Sequence, residues 1–150
     1  MQLQTLFAEV LPNNRLPAQQ VTSVTCDSRQ VQKGSVFVCV RGTLGDGHNY
    51  VAQALQRGAV FVVAQQDCKI PNQLLVEDTR RVYSQLCAAF FGYPARKMQL
   101  LALTGTNGKT TTTMLVKAIL EESTGAMVGL MGTNANYIGR KELPAQRTTP

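Results

Sequence analysis

The chain has 150 residues, 44% of them hydrophobic, and a formal net charge of +6 from 15 lysines and arginines against 9 aspartates and glutamates. That apolar content supports a packed core and excludes a disordered chain. The positive balance favours anionic partners, but the densest basic pairs are only Arg80-Arg81 and Arg96-Lys97, and the few aromatics do not interleave with them, so no nucleic-acid partner is expected. In chain order, residues 3–10 read as a short helix, and residues 21–26, alternating and β-branched, as a strand. Gln32-Lys33-Gly34 is a turn before a buried strand over 35–40. Residues 42–47 hold three glycines and an aspartate and read as a loop. A helix over 50–56 ends at Gly58. Strands follow over 60–64 and 73–76. Asp78 or Thr79 caps a helix on which Val82, Leu86, Ala89 and Phe90 recur at helical spacing, stopped by Gly92-Tyr93-Pro94.

The second half changes texture. Residues 99–104 read as an apolar strand, 105–110 as a loop and 111–122 as a helix with Met114, Leu115, Ala118 and Ile119 on its apolar face. Residues 127–131 read as a second strand, with Met127 and Met131 in the core. This β-loop-α-β order opens a parallel α/β domain. One such unit leaves most of its sheet unpaired, so the sequence is expected to be truncated. The fold class is therefore α/β: a small α/β domain over 1–95, then the start of a P-loop-type parallel α/β domain over 96–150.

The four cysteines, Cys26, Cys39, Cys68 and Cys87, form no C-x-x-C pair, and His48 is the only histidine, so no zinc site is expected. Cys39 and Cys87 sit in apolar runs as small core residues. The chain shows no leader and no apolar run near the ~20 residues of a membrane span, which predicts a cytoplasmic protein with reduced thiols and no membrane partner. His48, alone in a glycine-rich loop, reads as a surface or packing residue rather than a catalytic base. Asp27 and Arg29 are placed to form a local ion pair.

The strongest motif is Gly105-Thr106-Asn107-Gly108-Lys109-Thr110-Thr111, set between a predicted strand and a predicted helix. Its glycines allow a tight turn and close approach to a phosphate. Its backbone N–H groups and the helix start face an anion, Lys109 supplies a point charge, and the Thr110 hydroxyl can bind Mg²⁺ bridging the phosphates. The first glycine of the general eight-residue pattern is replaced by Leu103, so the loop is a shortened variant. The alternative is a strand-to-helix turn with a chance Gly-Lys-Thr; the agreement of pattern and setting favours the phosphate loop.

The stretch from Leu103 to Thr112 closely resembles the ATP loop of Mur ligases. Folylpolyglutamate synthases share a related loop but usually carry glycine after the lysine, where this chain has Thr110. Cys26-Asp27-Ser28-Arg29 with Gly34 to Val38 resembles the opening of MurE-type chains. Gly42 to His48 resembles the loop that follows it there. Met131-Gly132-Thr133 and the closing Thr148-Thr149-Pro150 resemble the stretch after the phosphate loop. The resemblance covers essentially the whole chain in the family's order.

It implies an N-terminal domain that holds the UDP end of UDP-N-acetylmuramoyl-L-Ala-D-Glu, a central domain that binds ATP, and a later domain for the incoming amino acid. Ser28 would hydrogen-bond the UDP moiety, with Cys26 nearby through its backbone; Thr43, Leu44 and Gly45 would line the uracil side. From spacing alone Ser28 is a turn or cap residue. Thr148 and Thr149 would contact the muramoyl-peptide or phosphate part, their alternative being a solvated loop before proline. Arg147 departs from relatives with Asn or His and receives no role. The implied reaction is ATP-dependent amide formation, through an acyl phosphate, with a free amino acid that is either meso-diaminopimelate or L-lysine. ATP and Mg²⁺ are the cofactors, Lys109 is the catalytic cation, and a monomer is expected. Family Mg²⁺ ligands and a modified lysine would lie beyond Pro150, so residues 1–150 alone are expected not to ligate. Another Mur-superfamily ligase and a non-catalytic nucleotide-binding module are the alternatives.

Overall fold

Short β-branched segments of the first half pair in sequence order into one parallel sheet: β1 (Ser23–Thr25), β2 (Ser35–Val38), β3 (Ala59–Ala64) and β4 (Gln73–Leu75). The structure, a computed structural model, describes residues 1–12, 16–42 and 45–144. All of β2 and residues 61–64 of β3 are buried, because a parallel sheet covered on both faces has no solvent side. Their side chains separate with a period of two. Val36, Val38, Phe61 and Val63 pack with Leu3, Leu6 and Phe7 of α1 (Leu3–Phe7) and Val82, Leu86 and Ala89 of α3 (Thr79–Phe90). Phe37, Cys39, Val62 and Ala64 pack on the other face with Val51 and Ala54 of α2 (Val51–Gln56). Phe7 and Phe61 meet edge to face, with centroids 5.8 Å apart.

α3 begins where Asp78 accepts hydrogen bonds from the amides of Arg80 (2.9 Å) and Arg81 (3.0 Å). After it, Pro94–Lys97 forms a 3₁₀ turn. There the Arg96 guanidinium lies 3.9 Å over the Tyr93 ring and its Nη2 is 2.7 Å from Glu9 Oε2. The first compact unit runs Met1–Met98.

The second compact unit is Gln99–Pro150. It contains α4 (Lys109–Thr124) and an antiparallel sheet in the order β5 (Gly129–Met131), β6 (Ala135–Ile138) and β7 (Lys141–Pro144). Three local expectations change here. Residues 99–104 form no ladder among the described residues, with Leu100 and Leu101 70% and 68% exposed. A parallel strand is held by hydrogen bonds from partners distant in sequence, and no described segment supplies one. Met114, Leu115, Ala118 and Ile119 are exposed, as are Met127 and Met131, instead of forming a core. The half-buried positions of α4 are Thr113, Val116, Lys117, Leu120 and Glu121, and α4 contacts β5. The partner of β5 is the antiparallel β6, whose hairpin with β7 turns at Gly139-Arg140.

Leu86 is fully buried between α3 and the sheet. Leu86→Ala should destabilise the first unit by about 2–5 kcal/mol, and Asp78→Ala, losing only a cap, by about 1 kcal/mol. Urea midpoints followed by circular dichroism measure both; equal losses would contradict this assignment of core and cap.

Candidate functional site

The Gly105–Thr111 loop of the second unit leads directly into α4. Gly108 adopts a left-handed conformation at the helix N-cap (φ 76°, ψ −3°), and Gly105 has φ 151°, conformations that favour glycine. Helical hydrogen bonding starts at the Thr112 amide, which donates to Gly108 O at 2.9 Å. The amides of Lys109, Thr110 and Thr111 are therefore the free donors of the helix start. Lys109 folds back, its Nζ donating to Gly105 O (2.6 Å) and Thr106 O (3.4 Å). Thr113 Oγ1 donates back to Lys109 O and Thr110 O, which ties down the first turn. Thr106, Asn107, Thr110 and Thr111 are exposed. The cluster presents open amides, an ammonium group and a hydroxyl at one helix end, a fit for a polyphosphate. For Mg²⁺, Thr110 supplies one neutral oxygen; among the described residues no acidic, His or Cys cluster completes a metal site.

In the first unit, parallel pairing puts the segments after β1, β2 and β3 on the same sheet edge. After β1 come Cys26, half-buried, and Ser28, 7% exposed in a 3₁₀ turn over Ser28–Gln30. The Asp27 carboxylate caps that turn through the Arg29 amide (2.9 Å) and meets the exposed Arg29 guanidinium at 2.8 Å. After β2, Arg41 bridges to Asp46, and the Gly42 amide donates to Gly45 O at 2.8 Å. Gly47 donates to Val40 O at 3.0 Å. It approaches so closely that a Cβ would stand 2.9 Å from Cys39 Cα and 2.8 Å from Val40 N, so no other residue fits. The Tyr50 hydroxyl lies 3.9 Å from where a Gly45 Cβ would be, a neighbour that the sequence does not advertise.

Asp46 organises this loop. Its Oδ1 accepts from the His48 amide at 3.0 Å and also meets His48 Nδ1, while its Oδ2 lies 3.3 Å from Arg41 Nε. The His48 amide above all, then the imidazole and Arg41, hold the Asp46 carboxyl below its usual range. His48 is buried and bridges the loop to β3, so the packing alternative for this residue holds. Burial pushes the Cys39 thiol up to about 12 and the half-buried Cys87 thiol upward, which disfavours the thiolate of each. Thr43 and Leu44, like Arg147, Thr148 and Thr149, lie outside the described residues.

A depressed carboxylate stabilises the fold above its unfolded pKa, and the stabilisation is lost as pH falls through the folded pKa. Asp46→Asn should therefore shrink the loss of stability as pH falls below the ordinary aspartate pKa of about 3.9, by an amount limited by solvent screening at this half-exposed side chain. Urea midpoints at each pH measure it; an unchanged acid limb would remove Asp46 as a contributor.

Residues 20–91 match the family described as Mur ligase family, catalytic domain, and residues 103–150 match the Mur ligase middle domain. The UDP-N-acetylmuramoyl-L-alanyl-D-glutamate--2,6-diaminopimelate ligase of Clostridium perfringens is 39% identical over 99% of this chain and 31% of its own length. A solved structure of a UDP-N-acetylmuramoyl-L-alanyl-D-glutamate--2,6-diaminopimelate ligase superposes with a TM-score of 0.71 at 25% identity, covering 100% of this chain and 31% of that one. The MurF ligase from Thermotoga maritima, in complex with ADP, gives a TM-score of 0.53 at 28% identity over 68% of this chain and 24% of that one. This chain thus spans less than a third of the length of the curated relatives it matches. By its two consecutive domain matches and its shared fold, the chain belongs to the Mur ligase family.

Proposed function

We propose that this chain carries the uridine-binding and ATP-phosphate-binding parts of a MurE-type ligase, which joins 2,6-diaminopimelate to UDP-N-acetylmuramoyl-L-alanyl-D-glutamate at the expense of ATP. The observation that carries the reading is the Gly105–Thr111 loop, with open amides and Lys109 at the start of α4. The names of the relatives support the substrates. In this reading residues 1–95 hold the UDP end and residues 96–150 begin the ATP domain. The protein works as a cytoplasmic monomer; no helix among the described residues is long and apolar enough to cross a membrane.

Each assigned group has a defined task. The amides of Lys109, Thr110 and Thr111, with those of Thr106, Asn107 and Gly108 beside them, hold the phosphates. Lys109 exchanges two solvent-exposed carbonyl contacts, each weak in net terms, for a phosphate contact that is charge-assisted on both sides. Mg²⁺, when bound through the Thr110 hydroxyl, would offset the phosphate charge that gathers during transfer. Ser28, buried and with no hydrogen bond from its hydroxyl among the described residues, donates to the UDP moiety, with Cys26 beside it. Thr43, Leu44 and Gly45 line the uracil side, and Thr148 and Thr149 contact the muramoyl-peptide or phosphate part. The likeness to MurF ligases favours a sibling reading in which the uridine end is shared and the peptide differs.

Calorimetric titration tests both halves. Lys109→Ala should weaken ATP binding by about tenfold to a hundredfold and leave UDP binding unchanged. Ser28→Ala should weaken UDP binding by about five- to tenfold and leave ATP binding unchanged. Loss of neither affinity would overturn the site assignment, and tighter binding of the UDP-linked tripeptide than the dipeptide would select the MurF-like reading.

A further inference from the structure

The His48 side chain is only 3% exposed, yet it lies in a 3₁₀ turn over Gly47–Tyr50 rather than in the sheet core. Both its ring nitrogens are committed. Nε2 accepts from the Gln65 amide at 3.0 Å, just past the end of β3. An acceptor at Nε2 leaves the proton on Nδ1, which donates to Asp46. No lone pair or proton remains for a reacting group, so His48 is no acid or base.

The contacts run on from both ends of this bridge. Gln65 donates through Nε2 to Glu77 O (2.7 Å) and accepts at Oε1 from the Thr79 hydroxyl (3.2 Å). Arg80 Nη2 donates to Arg41 O at 2.7 Å, and Arg41 Nη2 donates to Gln66 Oε1 at 3.2 Å. Asp46 also faces Arg41. The base of the loop after β2 is thus fastened to the residues after β3 and to the first turn of α3. Of these links, only His48 is buried and joins the loop to a backbone group of the neighbouring segment.

We propose that His48 is a positioning residue for nucleotide recognition: its imidazole, strung between Asp46 and the Gln65 amide, fixes where Gly45, Asp46 and Gly47 stand at the C-terminal end of the sheet and hence where Gly45 meets the uridine end of the substrate. This rests on the reading of that loop as the UDP site. The Gln65 amide has one acceptor among the described residues, and removing it takes away the buried tie beside Gly47 while Arg41 keeps its contacts to Asp46 and Gln66. Binding then has to order Gly45 to Gly47, and affinity falls by that ordering.

Side chains of graded length separate positioning from mere stability. Gln at position 48 carries an amide oxygen to the place of Nε2, and so accepts from Gln65. Asn reaches only the place of Nδ1, and so retains only the Asp46 contact. UDP is titrated by calorimetry into the wild type, His48→Ala, His48→Gln and His48→Asn, at a temperature where circular dichroism shows each one folded. His48→Ala and His48→Asn are expected to bind UDP about tenfold more weakly, and His48→Gln to return within about threefold of the wild type. A purely structural role would lower the melting temperature of the variants without moving the affinity of the folded protein. Equal affinities for the Gln and Asn variants would overturn the proposal, and that comparison stands even if His48→Ala does not fold. Ser28→Ala separates this failure from that of the parent reading. If it weakens UDP binding while the His48 variants do not, the UDP site stands and the positioning role falls. If the wild type binds no UDP, both fall.

Discussion

Parallel pairing of β1 to β4 is the constraint on which the first unit depends. Because all four strands run the same way, their C-terminal ends share one edge. The segments that follow β1, β2 and β3 must therefore leave from that edge, whatever their sequence. β2 and residues 61–64 of β3 are buried, so the groups that can meet solvent or a ligand at this end of the sheet are carried by those exits. Ser28, Asp46, His48 and Gln65 all stand there. A concentration of polar and glycine residues at one edge of an apolar sheet is thus a result of topology before it is a result of function.

The same edge shows why some features of the molecule can be read locally and others cannot. β2 and β3 are legible because residues 36–38 and 59–64 are apolar and rich in valine, and α3 because Val82, Leu86 and Ala89 repeat with a helical period. The Gly105–Thr111 turn into α4 is legible because its glycines, lysine and threonines are contiguous. The His48 bridge is not, since its partner Gln65 is 17 positions away and contributes only a backbone amide, which every residue possesses. The Arg80 contact to Arg41 O spans 39 positions and likewise ends on a main-chain atom. Side-chain identity carries no trace of such a partner.

The second unit shows the complementary limit. Residues 99–104 have the composition of a buried strand, but a strand is a property of two segments, and composition names only one of them. The apolar residues of α4, Met114, Leu115 and Ile119, show the same mismatch between pattern and surroundings. What does form there is local: α4 from its own hydrogen bonds, and a meander whose turn at Gly139-Arg140 joins strands only two residues apart. That turn is a short-range signal in the sequence, weaker to the eye than the apolar run of residues 127–131 before it.

The order β1-β2-β3-β4 also has a temporal meaning. Each strand docks beside the one made just before it, so the sheet can grow by one edge as the chain leaves the ribosome, and no strand waits for a partner that is synthesised much later. The exception is α1, which packs against α3 some seventy residues downstream. Within this unit α1 is made before α3 and waits for it, and Leu3, Leu6 and Phe7 remain uncovered on that side until α3 arrives. In a nascent chain of this unit, these three residues are the surface on which a chaperone has the longest time to act.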